Sequence, residues 1–160
     1  MTSIKPSALL KGEGLPDYEK ITPNEITENI PILIEDLNKK LKSLEEQLDQ
    51  KLSTKSSLSW EDVMPQLHEI GEKLRWSWGV VSHLNSVCNS SELREVHSNQ
   101  QPKIVRFSNQ LAQNKVIFKA LSNLIEHGNI KDETQIRIIE TELITMKNKG
   151  IGLEANEKAL

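Results

Sequence analysis

The side chains best suited to chemistry lie in two short stretches. His68-Glu69-Ile70-Gly71-Glu72 opens like the His-Glu-x-x-His helix that ligates zinc, because residues at i and i+4 share one helix face. The fifth position is Glu72, not His. One His and one Glu leave zinc short of the three protein ligands of a catalytic site, so the pair reads as solvated partners and receives no metal. Cys88 lies between His83 and His97, as a nucleophile between candidate bases would. It lacks a third orienting group and an electropositive setting for a thiolate, and reads as a small buried side chain. Ser82 and His83 have no acid nearby to complete a triad. With Asn85 and Ser86 they read as a polar junction satisfying backbone groups. No catalytic, cofactor-binding or metal-ligating residue is assigned in this chain.

Three tryptophans remain, Trp60, Trp76 and Trp78. Trp60 stands at a helix start, where it can staple the first turn, and Trp78 extends an apolar stripe. Trp76 sits between Arg75 and Ser77, about half a turn off the Leu74 stripe, and is left as a contact residue.

Whatever these residues do, the scaffold is one domain's worth of chain: 160 residues, 36% apolar, 4% aromatic, with 20 basic against 23 acidic side chains. A net charge of -3 with scattered bases gives no basic stripe for a phosphate backbone, which argues against nucleic acid. No apolar run approaches the ~20 residues of a membrane helix, and Ala8-Leu9-Leu10 is too short for a secretory core, so a cytoplasmic protein with no membrane partner is expected. A single cysteine builds neither a disulfide framework nor a multi-thiolate zinc site.

The positioning elements are helices. Residues 1–21 carry Pro6, Gly12, Gly14 and Pro16 without a period and read as an extended arm. Thr22-Pro23-Asn24-Glu25 offers a hydroxyl cap, a first-position proline, and a carboxylate able to reach back to the cap N–H. Ile26, Ile30, Ile34, Leu37, Leu41, Leu44 and Leu48 then recur every three or four residues. Pro31 interrupts them, predicting a kink or a short leading helix joined to a longer one. The stripe is too short for a coiled-coil seam and reads as intramolecular packing. Ser59-Trp60-Glu61-Asp62 caps a second helix with Val63, Leu67, Ile70, Leu74 and Trp78 inward, ending before a polar connection at 82–90. Asn89 or Ser90 caps a third through Leu93 and Val96. Spacing resumes at Val105, Leu111, Phe118, Leu121 and Leu124 or Ile125, as one bent helix or two. Asp132 with Gln135 opens the last complete helix, with Ile136, Ile139, Leu143 and Met146 inward and Gly150 at its end. No two-residue alternation supports a sheet. The fold class is all-α: an antiparallel helical bundle of four to six helices over 22–153, after the arm. Residues 154–160 have helix-forming composition without a stop and read as the start of a truncated helix.

The run from Trp78 to Glu95, Trp-Gly-Val-Val-Ser-His-Leu-Asn-Ser-Val-Cys-Asn-Ser-Ser-Glu-Leu-Arg-Glu, resembles a characteristic stretch of the oligopeptidase A and thimet oligopeptidase family of zinc metallopeptidases. Leu15 to Pro23 is similar to that family's opening segment, Ser59 to Asp62 to its second-helix cap, and Lys149 to Leu153 to a link toward later helices. The chain departs from the pattern at Ser91 and Glu28, where the family commonly has proline, and at Pro31, which falls late.

The resemblance implies the N-terminal helical region of a much longer enzyme, one wall of a deep channel that admits short peptides and excludes folded proteins. The zinc, its His-Glu-x-x-His helix and a later Glu would belong to a C-terminal catalytic portion of the same polypeptide, with none of them in this chain. Trp76 is then the expected contact with that portion. The chain alone is expected to be inactive toward peptides and to self-associate through surface the catalytic portion would cover. A freestanding helical module binding a protein or peptide in a groove is the alternative.

Overall fold

A computed structural model describes residues 7–54, 56–128 and 130–151. Among them are five α-helices and no strand: α1 Pro23–Ser53, α2 Trp60–Val87, α3 Ser91–Ala112, α4 Lys115–His127 and α5 Glu133–Asn148. The fold is an all-α helical bundle. Single turns of 3-10 helix at Leu9–Lys11 and Tyr18–Lys20 precede α1, so the arm is partly coiled rather than extended throughout. Residues 154–160, expected to begin a further helix, lie outside the described residues.

The chain forms two compact units, residues 1–40 with 69–107 and residues 41–68 with 108–160, so α1, α2 and α3 each contribute to both. In the first unit the α1 and α2 segments run antiparallel: Asp36 meets Lys73 at 3.0 Å, while Lys40, one turn later, meets Glu69, one turn earlier. Ile26, Ile30, Leu33 and Leu37 from α1 and Ile70, Val80 and Val81 from α2 are buried there, with Leu93, Ile104 and Phe107 from α3. Each such side chain contributes about 1.5–3 kcal/mol by leaving water.

The second unit repeats the arrangement. Gln66 donates to Gln47 at 3.5 Å and Lys51 pairs with Asp62 at 2.5 Å, again antiparallel. Leu41, Leu44 and Leu48 pack in a core with Val63, with Ile117, Leu121 and Leu124 of α4, and with Ile139 and Met146 of α5. Asn114 caps α4 by accepting from the N–H groups of Val116 and Ile117, both at 3.0 Å, and its own amide donates to Glu45 of α1. The N-cap of α5 is Asp132, as its spacing from Gln135 predicts.

Several local expectations are corrected. Helix α1 runs unbroken through Pro31, which is exposed; buried Ile30 and Leu33 on either side keep the helix seated. Leu33, not Ile34, takes the buried position after Ile30. Thr22 accepts from the Glu25 N–H at 3.2 Å as expected, but the Glu25 carboxylate turns to the arm and accepts from Ser7 and the Leu9 N–H. Residues 82–87 are not a connection: α2 continues to Val87 because buried Val80, Val81 and Leu84 prolong its stripe, while Ser86 donates to the Ser82 carbonyl at 2.9 Å. The stripe passes through Ser77 rather than Trp78. Between 90 and 126 there are two helices, and Ser90 caps the first by accepting from Leu93 N–H at 3.1 Å. Ile104 and Phe107, not Val105, face inward there, and Ile117 is buried where Phe118 was expected.

Candidate functional site

The first unit holds most of the residues that invited a functional reading. Residues 7–21 lie along α2, held by Ser77, fully buried, which donates to the Leu9 carbonyl at 2.9 Å, and by Trp76, whose indole N–H donates to the Gly14 carbonyl at 3.0 Å. Gly12 and Gly14 have φ of 74° and 68°, a left-handed region that favours glycine. A Cβ at Gly12 would also stand 3.1 Å from the Lys73 side chain of α2. Trp76 is therefore half-buried, its polar edge committed to the arm. The signals available in the sequence were the two glycines and the small residue at 77; what linked them to α2 is a separation of more than sixty residues, which no local pattern carries.

Both histidines near Cys88 are engaged by aromatic rings. His83 lies 5.5 Å from the Tyr18 ring, and His97 stacks on Trp78 at 4.6 Å with an interplanar angle of 27°. Cys88 is exposed at the end of α2, contrary to the expectation of a buried side chain, because the helix ends there and its face runs out of partners. No hydrogen bond joins Cys88 to His83 or His97 among the described residues.

His68 is exposed on α2, and Glu72 pairs with Arg75 on the same helix. Among the described residues no three His, Cys, Asp or Glu side chains gather as a metal site would require. The residues here do not fit a catalytic zinc ion. Asp62 is the one acid of the second unit whose titration is moved: the Lys51 ammonium and then the Ser59 N–H hold its carboxyl below the usual range. Its Oδ2 accepts from both the N–H and the hydroxyl of Ser59 at 2.9 Å, so its work is to cap α2. A cleft of about 370 Å³ lies beside Leu52, Ser57, Asn123 and His127 in the same unit.

The arrangement thus offers packing, capping and two buried anchors for the arm, with no nucleophile–base pair. Comparison with known proteins agrees with the motifs around Trp78. Residues 30–158 match the family described as Neurolysin/Thimet oligopeptidase, N-terminal domain. The chain belongs to this family. It is 32% identical over 152 residues to oligopeptidase A of Haemophilus influenzae, covering 94% of this chain and 21% of that protein. Against oligopeptidase A of Escherichia coli the identity is 29% over 147 residues, or 91% of this chain and 21% of the relative. A protein of Arabidopsis thaliana named "Probable cytosolic oligopeptidase A" is 25% identical over 158 residues, 98% of this chain and 21% of its own length. The chain therefore spans about a fifth of the length of the curated relatives it matches. No helix among the described residues is long and apolar enough to cross a membrane.

Proposed function

We propose that this chain is the N-terminal part of a zinc-dependent oligopeptidase of the cytoplasm that hydrolyses short peptides. In that role its helices form a wall of the channel over the active site, limit substrates by size and brace the catalytic portion, which lies C-terminal in the same polypeptide. The observation that supports this reading is the family match over residues 30–158 joined to coverage of only 21% of each relative. The zinc and the groups that activate water belong to the remaining portion. The residues of this chain bind, brace and exclude. Trp76 contacts the catalytic portion through its exposed ring, since its N–H is held by Gly14.

The test uses a quenched fluorogenic peptide and added zinc. The purified chain gives no turnover, whereas turnover that scales with its concentration overturns the reading. The gene supplies a second test. A reading frame running past Leu160 into a His-Glu-x-x-His segment supports the assignment, and a stop codon there refutes it in favour of a freestanding interaction module. Cell fractionation that recovers the protein outside the cytoplasm refutes the location.

A further inference from the structure

Helix α5 carries two apolar faces, and its own unit uses one. At 100° per residue, Ile139 and Met146 mark the buried side, with Ile136 and Leu143 half-buried beside them. Glu133, Glu140 and Lys147, spaced by seven, form a narrow exposed charged strip. The remaining arc holds Thr134, Arg137, Ile138, Thr141, Ile144 and Thr145, all exposed, with Ile138 at 41% and Ile144 at 57%. A helix with apolar residues on both sides of a thin charged strip is built to be covered twice. A groove of about 400 Å³ runs along this outer arc, lined by Thr134, Arg137, Ile138, Thr141 and Glu142.

The turn that closes α5 directs the chain back along it. Gly150 has φ of 84°, Ile151 N–H donates to the Met146 carbonyl at 3.1 Å and Gly150 N–H to Lys147 at 2.9 Å, the Schellman pattern that reverses the chain. Ile151 is buried, so the reversal is seated on its own unit. Nine residues remain, Gly152 to Leu160, with Leu153 and Leu160 two helical turns apart. As a helix they reach about 12 Å back from the turn, past Ile144 and Thr145 to the near edge of the groove at Thr141 and Glu142. In an antiparallel register Glu154 comes level with Lys147 and Lys149, and Lys158 with Glu142, so charges pair along the seam.

We propose that residues 152–160 fold back as a helix on the outer face of α5, with Leu153 and Leu160 against Ile144 and the Thr141 end of the groove. This is independent of any peptidase role. The test places a nitroxide at residue 156 through Asn156→Cys in a Cys88→Ser background, which removes the one native thiol, and reads amide signals by NMR. Loss of intensity at Thr141, Glu142, Ile144 and Thr145, reversed by Ile144→Asp, is expected. Because Ile144 is exposed, that substitution leaves the fold intact. Retained intensity along α5, or a loss that Ile144→Asp does not change, overturns the proposal. So does a loss seen when the nitroxide and the isotope are on different molecules, which assigns the face to a second copy.

Discussion

Replacing Asn114 by alanine removes a joint that three backbone and side-chain groups share. The side chain is 6% exposed, and its oxygen accepts from Val116 and Ile117 while its amide donates to Glu45. Loss of an N-cap costs about 1 kcal/mol. The Ile117 N–H is buried, so water replaces its partner poorly, adding about 1 kcal/mol for the orphaned donor. Glu45 loses one neutral donor but is half-exposed and recovers water, adding little. The sum, about 2 kcal/mol, corresponds to a fall in Tm of about 4–8 °C for a chain of this size. Asn114→Ser keeps an oxygen at the cap and loses the bond to Glu45, so it recovers most of the stability. Asn114→Asp keeps the cap but sets two carboxylates together, and falls between the two unless Glu45→Gln accompanies it. Urea unfolding followed by far-UV circular dichroism reads all four chains. Equal losses for alanine and serine would refute the reasoning, because the cap would then contribute nothing and the link to Glu45 everything.

Four further outcomes are expected. Ser77→Ala leaves the buried Leu9 carbonyl without its donor, costs about 1–2 kcal/mol, and speeds hydrogen exchange in residues 7–21 while α4 and α5 are unchanged. Gly150→Ala forces a Cβ into a left-handed conformation and costs about 1–2 kcal/mol in the same unfolding assay. Because Lys51 and Ser59 lower the folded titration of Asp62, its contribution is complete above the ordinary aspartate value near ~4, declines as pH falls below it and is gone below the lowered folded value. The stability difference between the native chain and Asp62→Asn therefore shrinks on acidification through that window, and a difference that grows there contradicts the assignment. Light scattering on the isolated chain shows association that rises with concentration, since Ile32, Val87 and Val105 stand exposed; a monomer at every concentration contradicts it.

Helix identity was legible from local chemistry. Thr22, Ser59, Ser90 and Asp132 each bond the N–H groups that their positions predict, or in the case of Ser59 receive the reciprocal bond from Asp62, and Gly150 ends α5 as its place after two lysines suggests. The resemblance around Trp78 was equally local, and the family match agrees with it. Asn114 was missed as a cap because it lay within a polar run that offered several candidates. Only the contact with Glu45, 69 positions away, distinguishes it.

The rest depends on partners far along the chain. A three-to-four spacing states that a helix has an inward side but tolerates a rotation of one residue, so Leu33 over Ile34, Ile104 over Val105 and Ser77 over Trp78 were settled by what each met across the core. The 82–87 stretch reads as a connection by composition and is helical because Val81 and Leu84 find burial, a gain of several kcal/mol against the few tenths by which serine and asparagine disfavour a helix. Capping and helix propensity act within four residues and are written in the sequence. Which flank of a helix is buried, and that the arm lies on α2, are decided by contacts made after the chain has closed on itself.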